Sequence, residues 1–178
     1  MAVTDDTATL RYPGGEVELP IVRATEGSDG IAIGSLLAKT GHTTFDNGFA
    51  NTAPVKSAIT YIDGDAGILR YRGYAIEDLA AKSTYLEVAW LLIYGELPTT
   101  AELEDFEERV RRHTLLHEDL RRFFDGFPRN AHPMPVVSSA VNALSAYYQD
   151  ALDPTDNGQV ELSTTRLLAK LPTIAAYA

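Results

Sequence analysis

Along this chain the spacing of apolar positions changes once, from a two-residue period in the first third to a helical period in the rest. Thr9-Leu10-Arg11-Tyr12 and Glu16-Val17-Glu18-Leu19 alternate as strands do, and Pro13-Gly14-Gly15 between them predicts a hairpin. Ile31 and Ile33 continue the pattern. Ser35 is then placed to cap a short helix over 36–39 that Gly41 would close. Alternation resumes at Ile59-Thr60-Tyr61-Ile62. Asp63-Gly64-Asp65-Ala66-Gly67 supplies glycines for positive φ and carboxylates able to bond the turn's own backbone, so a second strand should follow over 68–72 until Gly73 breaks it.

From Ile76 the pattern is helical, with Glu77 and Asp78 in a first turn, where negative charge suits the helix dipole. Thr84 with Glu87, and Thr99 with Glu102, have the spacing of capping boxes. The first predicts a helix over 85–94, apolar nearly all round and therefore buried. In the second, Leu103, Phe106 and Val110 face inward and Glu104, Asp105, Glu107 and Glu108 stay wet. Another helix is predicted over 117–125, with Leu120, Phe123 and Phe124 inward and Gly126 as its stop. One over 136–150 carries Val137, Ala140, Val141, Leu144 and Tyr148 on one face, and its many small residues allow a second helix to approach closely. The pattern from Val160 onward has Leu162, Leu167, Leu168 and Leu171 as its apolar set. The sequence stops at Ile174-Ala175-Ala176-Tyr177-Ala178 without a capping glycine or a polar fade, which reads as truncation inside a helical core.

Composition narrows the classes. A length of 178 residues suffices for one domain with a good core, or for a domain plus a small appendage. The balance of 15 basic against 25 acidic residues, a net charge of −10, argues against nucleic acid and against an anionic membrane surface. Any anionic ligand must therefore be held by a local basic cluster. With no cysteine, disulfides and Cys-ligated metal sites are excluded. The start, Met1-Ala2-Val3-Thr4-Asp5-Asp6, has neither the basic nor the apolar region of a signal peptide, and residues 1–8 are expected to fray. The longest apolar run, 88–94, is too short to span a bilayer, so a soluble cytoplasmic protein is expected.

Spacing alone finds no active site. The loop from Asp63 begins like a calcium loop but has Ile68 at its sixth position and Tyr74 at its twelfth, so it reads as a structural turn. His113 and His117 could share a metal only on an unbroken helix, and no third ligand accompanies them. His132 precedes Pro133 and reads as a positioning residue at a helix entrance. No G-x-S-x-G, G-x-G-x-x-G or Walker loop is present.

Four stretches, in order, carry a resemblance. They are Asp63 to Ile76 with its Gly67-Ile68-Leu69 and Arg72-Gly73, then Gly95-Glu96-Leu97-Pro98-Thr99, then Phe127-Pro128 with His132-Pro133-Met134, and Lys170-Leu171-Pro172-Thr173. Together they resemble the signatures of citrate synthase, and residues 1–60 resemble the N-terminal extension of its bacterial type. The resemblance implies a mainly α, multi-helical citrate-synthase-like large domain, present in part over 61–178, with a small β-rich N-terminal subdomain over 1–60. It implies an acyltransferase with acetyl-CoA and oxaloacetate as substrates, no metal or other cofactor, and a dimer or hexamer. The family's catalytic residues lie later than Ala178, so none is carried over and this chain alone is expected to be inactive. A 2-methylcitrate synthase and a non-catalytic assembly or regulatory module are the rival readings.

The resemblance also implies an allosteric NADH site, because Arg112, His113, Thr114, Tyr148, Arg166 and Lys170 match the positions that bind NADH in hexameric bacterial members. Leu115 departs, standing where that type often carries Met. Physically, Arg166 and Lys170 are neighbours on one helix face, a like-charge pair that costs about 0.2–0.5 kcal/mol unless an anion sits between them. Guanidinium forks suit phosphates, and Tyr148 offers a ring for stacking. The alternative is that these cations pair with surface acids such as Asp150.

Overall fold

The computed structural model describes residues 6–178 and divides the chain into two compact units. The first holds the residues up to Thr84 together with Leu91–Glu96, the second Tyr85–Trp90 and Leu97–Ala178. The fraying expected at 1–5 lies outside the described residues, whereas Thr7 and Ala8, expected to fray with them, are the first two residues of a strand.

In the first unit, β1 (Thr7–Tyr12) and β2 (Gly15–Val22) form the expected hairpin, closing at Tyr12 opposite Gly15, and β3 (Gly30–Ile31) pairs on the other side of β2. Val17 and Leu19 point to one face of β2 and bury Leu36 of α1 (Leu36–Thr40), with Tyr12 packed alongside. Gly41 ends α1 in the left-handed conformation, φ 72°, as read, but the Ser35 side chain makes no cap bond because Ser35 itself has helical backbone angles. A second sheet has β5 (Ile68–Tyr71) between β4 (Thr60–Asp63) and β6 (Tyr74–Ala75). Its first turn is tied by Asp63, whose Oδ1 accepts from the Ala66 N–H at 2.9 Å. The second is a two-residue hairpin loop with Arg72 at φ 50° and Gly73 at φ 90°, the left-handed pair that matches strand twist. That turn aims the Arg72 guanidinium at the Leu92 carbonyl, 3.0 Å away, and α2 (Ile76–Lys82) follows it with Leu79 buried.

α3 (Tyr85–Tyr94) starts and ends where its pattern predicts, but its burial does not follow. Only Leu91 is fully buried, while Tyr85, Ile93 and Tyr94 are exposed, because a helix apolar all round needs neighbours on every side and the described residues supply them on part of it.

In the second unit α4 (Thr100–Arg112) is set by a realised capping box: the Thr99 N–H donates to Glu102 Oε2 at 2.8 Å, and the Glu102 N–H to Thr99 Oγ1 at 3.4 Å. Phe106 is its buried anchor, edge-on to Trp90 at 5.4 Å. The helix stops at Arg112, so His113 is its C-cap and His117 the N-cap of α5 (Glu118–Phe124). The two histidines do not share a helix. His132 caps α6 (Pro133–Tyr147) through Nδ1, which accepts from the Met134 N–H at 3.2 Å, in keeping with a positioning role. α6 begins and ends earlier than the reading over 136–150, because Pro133 is pre-set for a first helical position and Tyr148 leaves helical geometry as the C-cap. α7 (Asn157–Tyr177) is capped by Asp156.

Leu120, Ala140, Leu144 and Ile174 form the core of this unit, with Phe123 and Phe124 against it. On α7 the buried residues are Thr165, Ala169, Lys170 and Ile174, whereas Leu167 and Leu171, members of its apolar set, are exposed. α7 packs against α4 and α6, and the two leucines lie off its buried face. No helix among the described residues is long and apolar enough to cross a membrane.

Candidate functional site

The candidate site lies where the ends of α4 and α6 meet the middle of α7, inside the second unit. α4 ends at Arg112 and delivers His113 and Thr114 in its exit turn. α6 delivers Tyr148 as its C-cap, held by an N–H bond to the Leu144 carbonyl. α7 delivers Arg166 and Lys170 one turn apart on the face that meets both.

Both α7 cations cover the Tyr148 ring. The Arg166 guanidinium carbon is 4.6 Å from the ring centroid and Lys170 Nζ 4.8 Å, each within cation–π range. Arg166 makes a two-pronged pair with Asp150, Nη1 to Oδ1 at 2.7 Å and Nη2 to Oδ2 at 2.8 Å. Its Nε is buried and has no partner among the described residues. Lys170 is only 2% exposed, and Nζ donates to the carbonyls of His113 at 2.8 Å and Leu115 at 2.6 Å. It thus serves as a side-chain cap for the end of α4, supplied from another helix. The like-charge pair on α7 is accommodated without an external anion, by Asp150 on one side and by carbonyl dipoles on the other.

Five of the six sequence-read residues converge: His113, Thr114, Tyr148, Arg166 and Lys170. Arg112 points elsewhere, its Nε donating to Glu108 Oε1 at 2.7 Å on its own helix, with an exposed side chain. Thr114 bonds within the turn through Oγ1 to the Arg111 carbonyl at 3.0 Å. Its own carbonyl accepts from Thr173 Oγ1 at 3.1 Å. Thr173 was read only as part of the Lys170–Thr173 signature and not as a site residue, although its place three residues after Lys170 puts it on the same face of α7. Leu115, which departs from the hexameric type, is largely exposed, but its backbone carbonyl holds Lys170.

Burial, and then the positive charges of Arg166 and Lys170, push the His113 imidazole below its ordinary value, against the opposing pull of Asp150. Asp150 is held below the ordinary carboxylate value, chiefly by its hydrogen bonds from Arg166. A carboxyl lowered in the folded state stabilises the fold above its ordinary value of 3.8 and loses that contribution as the pH falls through the depressed value. Asp150→Asn is therefore expected to lower the urea midpoint at neutral pH, with the gap from wild type closing in acid below that range. A gap that stays constant down to acid unfolding would mean that the pair does not stabilise the fold. Among the described residues, no group of three or more His, Asp or Glu side chains could hold a metal ion.

Residues 48–178 match the family model described as "Citrate synthase, C-terminal domain". The chain belongs to the citrate synthase family. It is 80% identical to "Citrate synthase 1" of Mycobacterium tuberculosis over all 178 of its residues, which span 41% of that relative's length. Among solved structures, it is similar to citrate synthase from Pyrobaculum aerophilum at 31% identity and a TM-score of 0.63, over 99% of this chain and 39% of that one. It is also similar to citrate synthase from the archaeon Thermoplasma acidophilum, solved as a ternary complex with carboxymethyl coenzyme A and oxaloacetate, at 27% identity and a TM-score of 0.58, over 66% of this chain and 32% of that one. The family signatures fall at junctions of the fold: the β4–β5 and β5–β6 turns, the α3–α4 link, the α5–α6 link, and the turn of α7 that carries Lys170 and Thr173.

Proposed function

We propose that the full-length protein to which this chain belongs is a citrate synthase, a transferase of acyl groups acting in the tricarboxylic acid cycle. The observation that carries the reading is the 80% identity to Citrate synthase 1, unbroken over the whole chain. A carboxylate removes a proton from the methyl of acetyl-CoA, the resulting carbanion forms a carbon–carbon bond to the ketone of oxaloacetate, and water cleaves the thioester to give citrate and CoA. No residue here matches a catalytic position of the family. The part proposed for this chain is structural and regulatory: a small β-rich subdomain over 1–60, then the first portion of the helical domain over 61–178, in a cytoplasmic dimer or hexamer.

The full-length protein should release free CoA thiol from acetyl-CoA and oxaloacetate, while residues 1–178 alone release none. Faster release from propionyl-CoA would favour a 2-methylcitrate synthase, and no release from either would overturn the function. The cluster over Tyr148 is the proposed effector site, with NADH as its ligand. The spare Nε–H of Arg166, the two cations and the aromatic ring support this reading, and the internal pairing of Arg166 with Asp150 weakens it. Titration with NADH at low ionic strength, wild type against Arg166→Ala, separates the two: binding that the substitution abolishes supports the site, and no binding by either protein withdraws it.

A further inference from the structure

The tripeptide Asp-Asn-Gly occurs twice, at 46–48 and at 156–158, in two different backbone settings. We propose that Asn47 is a site of spontaneous deamidation and that Asn157, in the same tripeptide, is shielded by α7. Asparagine is among the chemically labile residues, and a following glycine presents its amide nitrogen without a Cβ in the way.

At the first copy Asn47 is exposed and lies in an irregular turn. Gly48 at φ 78° and Phe49 at φ 60° are both left-handed. The turn is organised by the Asp46 carboxylate, which accepts from the N–H of Ala50 at 3.0 Å and of Asn51 at 2.9 Å, and from Thr52 Oγ1 at 2.5 Å. All three donors lie downstream of the reacting atoms. Among the described residues nothing hydrogen-bonds the Gly48 N–H or the Asn47 side-chain amide.

At the second copy Asn157 is the first residue of α7 and Gly158 lies within the helix. Asp156 accepts from the Gln159 N–H at 2.8 Å through Oδ1, and its carbonyl accepts from the Val160 N–H at 2.9 Å. For the Gly158 nitrogen to reach the Asn157 side-chain carbonyl, ψ of Asn157 must leave the helical well, and this cap and first turn must open.

In the reaction at Asn47, the Gly48 nitrogen loses its proton to solvent base and attacks Cγ. The bond from Cγ to the side-chain nitrogen breaks and ammonia leaves. Water then opens the cyclic imide at either carbonyl, giving an aspartyl or isoaspartyl residue at position 47. The sum is amide and water converted to carboxylate and ammonia. The product carries a new negative charge beside Asp46, and the isomer also lengthens the backbone of the turn that Asp46 organises.

The two copies fall in different tryptic peptides, 40–56 and 130–166, so one digest reads both. The full-length protein, folded and held at mildly alkaline pH, should gain about one dalton at Asn47 as the amide becomes a carboxylate. This gain should be about fivefold faster than the gain at Asn157, the factor that disengaging an N-cap implies. In concentrated urea the two rates should converge, since the local sequences are alike. Equal rates in the folded protein, or a faster gain at Asn157, would overturn the proposal. So would a gain on 40–56 that persists in Asn47→Gln, because it would place the reaction at Asn51.

Discussion

Phe106→Ala should destabilise the second unit by about 3–5 kcal/mol, the usual cost of removing a buried aromatic ring and leaving its cavity. Phe106 is 1% exposed, edge-on to Trp90 at 5.4 Å, with the Arg109 guanidinium 5.6 Å from its ring. It is the one fully buried residue of α4, so no neighbour on that helix can fill the space. Phe106→Leu, which retains most of the volume, should cost roughly a third to a half as much. Urea unfolding followed by Trp90 fluorescence measures both, since the only tryptophan of the chain lies against the ring. A loss below about 1 kcal/mol for the alanine variant would show that the site collapses without a cavity and that the ring does not anchor α4.

Lys170→Met should be nearly as damaging, at about 2–4 kcal/mol, although it is more apolar and similar in length. Hydrogen bonds from a charged donor contribute about 1.5–3 kcal/mol each, and the two that Lys170 makes share one donor group and do not add fully. Their removal leaves the His113 and Leu115 carbonyls without this cap at the end of α4. The loss would also slacken the exit turn that places His113 and Thr114 in the candidate site. Arg166→Ala, which removes an ion pair to the exposed Asp150 and one cation from the Tyr148 face, should cost clearly less. The order of the two variants is the test. If Lys170→Met unfolds at the urea midpoint of wild type, Lys170 is a spare cation available to a ligand and not a structural cap.

Sequence is informative here wherever the signal and the contact lie within a few residues of each other. The strand hairpin, the Asp63 turn, the capping box at Thr99 and Glu102 and the helix over 85–94 are local: their signals lie within a few residues, and the structure realises them. Local signals were less complete where a cap has alternatives. Ser35 has the right identity for an N-cap and the wrong backbone angles, and α6 starts early because Pro133 suits a first turn that His132 can cap.

Which face of each helix is buried was decided by tertiary packing. In the sequence, Leu167 and Leu171 read as part of an apolar set and Lys170 as a cation for an anionic ligand or a surface acid. The structure exposes the leucines and buries the lysine, because Lys170 meets two carbonyls at the end of α4 that water would otherwise have to reach. A backbone carbonyl has no identity in a sequence, so no motif could announce that partner. The buried face of α7 likewise includes the small Thr165 and Ala169, which a hydrophobic period does not register. From the sequence alone came the presence and order of the longer helices, the Thr99 capping box, the family signatures and the residue types of the cluster. The three-dimensional structure decided that Arg166 and Lys170 both meet the Tyr148 ring, that Arg112 turns away to Glu108, and that Arg166 is held by Asp150, since each contact joins side chains distant in the chain or selects among equally compatible partners.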